Sequence, residues 1–129
     1  MNKEQASKKT ILLVEDDIFI GDIFETKISI SGFNVVKADN GKQAIEKLEE
    51  GLKPNLMLLD LRMPEMDGFT VLEKLNEKEE WKEIPVVVLT NFSGEDDIDR
   101  CMKMGAKDYL VKSFFTPAEV MEKVEKYIS

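Results

Sequence analysis

Glu15 and Asp16 close one apolar run, Ile11-Leu12-Leu13-Val14, and Asp60 closes another, Leu56-Met57-Leu58-Leu59. Carboxylates can hold a hard cation, attack as nucleophiles or exchange protons. Three of them brought together repel one another unless a cation sits among them or one takes up a proton. Mg²⁺, a hard cation that seeks oxygen ligands, is the natural guest of such a group. A short, continuous apolar run bounded by polar residues reads as a strand buried on both faces, as in parallel sheets. Ligands of an open α/β sheet bind beyond the carboxyl ends of its strands, where the strand order reverses, and both runs deliver their acids to that end.

The rest of the chain supplies the elements that position these acids. Apolar runs alternate with amphipathic stretches from Thr10 to Ile128. Asp17 to Ser31 carries Ile20, Ile23, Phe24 and Ile28 at helical spacing, Asp17 can cap it, and Gly32 ends it. Phe33 to Ala38 reads as a second strand, and Asn40 with Gln43 as a capping box for a helix reaching Glu50 before Gly51. A third strand spans about Asn55 to Asp60, and Asp67 caps a helix from Gly68 to about Asn76. Ile84 to Leu89 is the most strand-like stretch, and Ser93 with Asp96 is expected to cap a helix that ends at Gly105. Tyr109-Leu110-Val111 is a short fifth strand. Thr116-Pro117-Ala118-Glu119 places an N-cap, Pro at N1 and Glu at N3 before a last helix expected to run to the C-terminus. The pattern is (βα)₅, with right-handed crossovers and helices on both faces of a parallel sheet.

With 129 residues and 14.8 kDa the chain suits one domain, expected over 10–129 behind a flexible N-terminal tail over 1–9. No apolar run approaches the ~20 residues that span a bilayer, and the tail lacks the apolar core of a signal peptide. A cytoplasmic location is expected, and one cysteine excludes an internal disulfide. A net charge of −8 argues against nucleic-acid binding and favours basic or mixed-charge protein partners. The chain has no histidine, which removes Ser-His and Cys-His catalysis, His-type zinc sites and a phosphohistidine carrier. Cys101 shares a helical face with Ile98 and Met102 and reads as core, and Trp81 lies in the approach to the fourth strand, away from the acids.

Val14-Glu15-Asp16-Asp17, Asp60-Leu61-Arg62-Met63-Pro64-Glu65-Met66-Asp67-Gly68, Leu89-Thr90 and Tyr109-Leu110-Val111-Lys112 follow in order. Together they resemble the receiver domain of bacterial two-component response regulators, of the stand-alone chemotaxis-regulator type, over Thr10 to Ile128. The resemblance implies a flavodoxin-like doubly wound sheet of strand order 2-1-3-4-5. It also implies that Asp60 is the phosphorylated nucleophile and that Asp16 binds Mg²⁺ directly (Mn²⁺ can substitute). Glu15 would act through water, and the main-chain carbonyl of Arg62 would be a further ligand. Lys112 and Thr90 would take phosphoryl oxygens, and Thr90 with Tyr109 would form the switch, Tyr109 turning from exposed to buried. The implied partners are a sensor histidine kinase or histidine phosphotransfer protein as donor and a downstream protein target. The chain would be a monomer or a phosphorylation-dependent dimer in a phosphorelay. It would not be an enzyme beyond transfer to, and hydrolysis from, its own aspartate.

Several positions depart from the family pattern. Ser113 stands where proline usually follows the lysine in a cis bond. A cis bond without proline costs ~3–4 kcal/mol, so the loop is either trans or strained. Asn91 replaces a small residue after the switch threonine. Arg62 and Phe92 occupy places that modulate hydrolysis in the family, and Phe92 is expected to shield the acyl phosphate. Ile18 and Phe19 add apolar surface beside the acidic pair, as extra core or as a docking patch for the partner's helix bundle. Other classes fit less well. A pseudo-receiver would keep the fold without phosphorylation. A haloacid-dehalogenase-type phosphatase wants an aspartate where Arg62 stands, and a flavodoxin-like carrier wants a Ser/Thr/Gly-rich loop after the first strand.

Overall fold

The computed structural model describes residues 8–128. Most of the tail expected over 1–9, residues 1–7, lies outside the described residues. Five strands form one parallel sheet: β1 (Thr10–Val14), β2 (Asn34–Ala38), β3 (Leu56–Leu59), β4 (Val86–Thr90) and β5 (Asp108–Val111), in the order β2-β1-β3-β4-β5. The helices are α1 (Ile18–Ile30), α2 (Gly41–Glu49), α3 (Gly68–Glu77), α4 (Glu95–Lys103) and α5 (Pro117–Glu125).

Side chains alternate across a strand, so each central strand feeds two cores. Ile11, Leu13, Leu56, Leu58, Val87 and Leu89 pack on Phe24 and Ile28 of α1 and on Val120 and Val124 of α5. Leu12, Val14, Met57, Leu59 and Val88 face the other way, onto Ile45 of α2, Leu72 of α3 and Cys101 of α4. Burial of each such Leu or Ile contributes roughly 1.5–3 kcal/mol. This two-sided burial is why the strands read as unbroken apolar runs. No helix of the described residues is long and apolar enough to cross a membrane.

The strand order reverses between β1 and β3, which run side by side with Val14 opposite Leu59. The residues that follow, Glu15 and Asp60, therefore emerge together at the carboxyl edge. Asp60 N–H donates to the Val14 carbonyl at 3.1 Å and Glu15 N–H to the Ala38 carbonyl at 3.1 Å. The ladder thus carries both acids one residue beyond the strands.

Several local expectations need correction. Ser93 does not cap α4: Gly94 is the N-cap, with no side-chain bond. The N-cap must directly precede the first helical residue, and Ser93 lies one position too early. The first turn holds Glu95, Asp96 and Asp97, whose charges favour the helix N-terminus. β4 begins at Val86 rather than Ile84, because Pro85 has no N–H for the ladder, although its carbonyl accepts from Met57 N at 2.9 Å. The last helix stops at Glu125, short of the C-terminus, and beyond it the Tyr127 hydroxyl donates to Asp108 Oδ2 at 2.9 Å. Gln43 returns its bond to Asp39 N at 2.8 Å instead of to the cap residue Asn40, although Asn40 does accept from Gln43 N. The box of Thr116 and Glu119 forms as expected. A single helical turn, Glu79–Lys82, carries Trp81 and was not expected from the spacing.

Candidate functional site

Glu15, Asp16 and Asp60 each bring a carboxylate oxygen within 4.8 Å of the others. Glu15 and Asp60 are buried and Asp16 is exposed. Asp60 is held at both oxygens: Oδ1 accepts from Leu61 N at 2.7 Å and Oδ2 from Lys112 Nζ at 3.1 Å. Lys112 also contacts Glu15 Oε1, whose other oxygen accepts from Asp17 N at 3.1 Å. Both Glu15 oxygens are thereby engaged. Asp16 has no hydrogen-bond or ion-pair partner among the described residues, which leaves its oxygens open. Asp17 belongs to the helix, as the α1 cap accepting from Ile20 N at 3.0 Å.

Burial raises the Glu15 carboxyl above its ordinary value and outweighs the pull of Lys112. Burial works against the Lys112 ammonium too, yet Glu15 and Asp60 together hold its pKa above the usual lysine value. The all-oxygen donor set and its excess of negative charge suit a hard divalent cation.

β4 ends in Thr90, fully buried, with its Oγ1 at 3.5 Å from Phe92 N. Tyr109 is half-buried in this structure, and its hydroxyl donates to the Phe92 carbonyl at 2.6 Å. The Phe92 ring lies under the Arg62 guanidinium, 4.7 Å from its centroid, and Arg62 pairs with Asp97 of α4 at 3.5 Å. Asn91 is exposed. The described residues contain no cis peptide bond, so Lys112-Ser113 is trans, and a short 3₁₀ turn, Lys112–Phe114, follows β5.

The response regulator receiver domain model matches residues 11–125. The chain belongs to that family. The receiver is 32% identical over 116 residues to the chemotaxis protein CheY1 of Helicobacter pylori, covering 89% of this chain and 93% of that one. It is 34% identical over 121 residues to the probable transcriptional regulator ycf27 of Porphyridium aerugineum, covering 94% of this chain. It spans about half the length of the ycf27 relatives, 48% and 50% for two of them. The receiver domain of sensor histidine kinase PA1611 from Pseudomonas aeruginosa PAO1, solved with a magnesium ion coordinated in its active-site cleft, superposes with a TM-score of 0.84. That match is 28% identical and covers 95% of this chain and 98% of the other. The fold is the flavodoxin-like one of two-component signalling, as the sequence led us to expect.

The receiver also depends on two glycines that carry no chemistry, Gly68 beside the Asp67 cap and Gly41, for which the sequence carried no expectation. A Cβ on Gly68 would lie 2.5 Å from the Asp60 carbonyl oxygen, and its N–H donates to the Leu61 carbonyl at 2.9 Å. A Cβ on Gly41 would lie 2.4 Å from the Met66 carbonyl oxygen. These close approaches clamp the loop after Asp60 between α2 and α3. Within that loop Glu65 has φ +67, a left-handed conformation uncommon for a side-chain-bearing residue. The only sequence signal for these roles is the glycine itself.

Ile18 and Phe19 are not core: they are 75% and 82% exposed on the first turn of α1. Ile23 and Ile30 are exposed as well, so α1 is apolar on the face opposite Phe24 and Ile28. Phe114 is also exposed, in the turn that follows Lys112.

Proposed function

We propose that this receiver accepts a phosphoryl group from a partner's phosphohistidine onto Asp60 and signals through the resulting change in its surface. The observation that carries the reading is the Asp60 carboxylate, fixed by Leu61 N and Lys112 beside two further acids at the strand switch point. The carboxylate oxygen attacks phosphorus, forming an O–P bond as the N–P bond breaks. The electron pair leaves with the imidazole, and the product is an acyl phosphate on Asp60. Charge spreads over three equatorial oxygens in a loose transition state. Lys112 takes one of them as a buried ammonium, and the Thr90 hydroxyl takes another on rotating away from Phe92 N.

Asp16 and Asp60 would hold Mg²⁺ or Mn²⁺ directly, with the Arg62 carbonyl as a further ligand. Glu15, already engaged by Lys112, would act through water. Bound there, the cation neutralises the charge of the acids and the incoming phosphoryl group. Movement of Thr90 loosens its contact with Phe92, whose carbonyl holds Tyr109, and so reaches the face formed by α4, β5 and α5. A switch of this kind needs only a local charge event acting on a two-state element.

Ile18 and Phe19 form the docking patch for the donor, a sensor histidine kinase or a histidine phosphotransfer protein. Output is through a downstream protein target or onward phosphorelay, from a monomer or a phosphorylation-dependent dimer. The test is intact mass after incubation with a small phosphodonor, with and without Mg²⁺, beside Asp60→Asn. The expected result is a metal-dependent gain of one phosphoryl group that the variant loses. No gain with a small donor leaves a pseudo-receiver or a receiver that demands its kinase, and a beryllofluoride titration separates them, absence of binding marking the pseudo-receiver.

A further inference from the structure

A concavity of about 710 Å³ opens at the end of the sheet opposite Asp60, between the end of α2, the turn before β3, and the helical turn that precedes β4. Its size is within the usual range for ligand sites. Leu52, Trp81 and Ile84 give it an apolar floor, and Glu49, Glu80 and Glu83 give it an acidic rim that Lys53 only partly offsets. All three glutamates are exposed. The walls are held by backbone bonds: Leu52 N to the Lys47 carbonyl, Ile84 N to the Trp81 carbonyl (3.1 Å each) and Met57 N to the Pro85 carbonyl at 2.9 Å. A partner would therefore meet a groove already formed and avoid the cost of ordering it.

We propose that this groove docks a basic segment of another protein, one that presents lysine or arginine beside an apolar side chain. Three lining carboxylates outnumber the lining ammonium of Lys53 and the Lys78 ammonium 4.4 Å from the Trp81 ring, a balance that favours a cationic ligand, and the apolar floor favours one with an aliphatic or aromatic side chain. A second copy of this chain, at net charge −8, would bring like charge to the rim. The groove and the acidic site lie at opposite ends of β3, so both can be occupied at once. Docking here does not depend on the phosphoryl chemistry.

Trp81, the only tryptophan of the chain, lines the groove and reports on it. The probe is a ten-residue peptide of lysines and leucines separated by serines. Its controls carry glutamate for lysine or serine for leucine. We expect a saturable change in Trp81 emission and amide shifts confined to 48–55 and 80–85, with affinity at least tenfold above both controls. The double variant Glu80→Lys, Glu83→Lys should lose at least tenfold in affinity and keep its melting temperature and its reactivity toward a small phosphodonor. No saturable change, equal binding of all three peptides, or undiminished binding to the double variant with shifts at Glu15 and Asp60 would each overturn the proposal.

Discussion

Lys112 Nζ stands 3.1 Å from Asp60 Oδ2, fifty-two positions away in sequence, and the same ammonium contacts Glu15. One cation thus serves two buried acids before any ligand arrives. Replacing Lys112 with alanine should separate its two effects. Uptake from a small phosphodonor should slow by ~10²-fold, the usual cost of removing one preorganised charge-stabilising donor. Mg²⁺ affinity by calorimetry should rise, because a competing positive charge is gone. Loss of metal binding together with uptake would show that Lys112 acts only by holding the fold of the site.

The Phe92 ring, stacked under Arg62 at 4.7 Å, lies in the loop that follows Thr90. The proposal that it shields the acyl phosphate on Asp60 predicts that Phe92→Ser shortens the half-life several-fold. Arg62→Ala, which strips the ring of its cation, should act in the same direction. Radiolabel decay measures both, and a longer half-life in the Phe92 variant would contradict the shield.

Gly41 and Gly68 are packing requirements, since added methyl groups would meet main-chain oxygens at 2.4 and 2.5 Å. Gly41→Ala and Gly68→Ala should each cost ~1–3 kcal/mol in denaturant unfolding, the range for overpacking a tight site. Glu65→Gly should be neutral or stabilising by up to ~1 kcal/mol, since the left-handed conformation carries no penalty for glycine.

Burial pushes the Tyr109 hydroxyl up to about 12, from an ordinary value of 10.0. The hydrogen bond to Asp108 also raises Tyr127, the other tyrosine. A folded-state pKa above the unfolded one means that the neutral phenol of Tyr109 stabilises the fold fully below about pH 10, and that this is lost as pH rises toward about 12. Absorbance at 295 nm should show little phenolate in the native protein at pH 10. Tyr109→Phe should remove one of the two transitions and ~0.5–1.5 kcal/mol of stability, the usual net value of such a bond.

Phe19 is 82% exposed at the rim of the acidic site. Phe19→Ala should slow transfer from the cognate kinase while leaving small-donor phosphorylation and Mg²⁺ binding unchanged. Unchanged kinase transfer would remove Phe19 from the docking patch.

The five strands, the two-sided sheet and the acids at the strand ends were legible because their signals are local. An unbroken apolar run, a cap three residues before its amide and a glycine after a helix need no knowledge of distant parts of the chain. Thr116 and Glu119 show how far this reaches, forming the full reciprocal box expected of them. It fails by one residue where neighbours compete, as at Ser93 and Gly94.

Composition and pattern alone determined the fold class, the two-sided burial of the strands and the candidate acids. Resemblance added the order of the strands and the roles of the site residues. Only the tertiary structure decided which Glu15 oxygens Lys112 and Asp17 engage, that Asp16 has no partner among the described residues, and that Arg62 meets Phe92 and Asp97 while Tyr109 bonds the Phe92 carbonyl. It alone turned Gly41 and Gly68 into contacts and Phe19 into surface. The reason is physical. Periodicity reports what a residue does along its own element, whereas these contacts depend on how elements far apart in sequence pack around one strand edge.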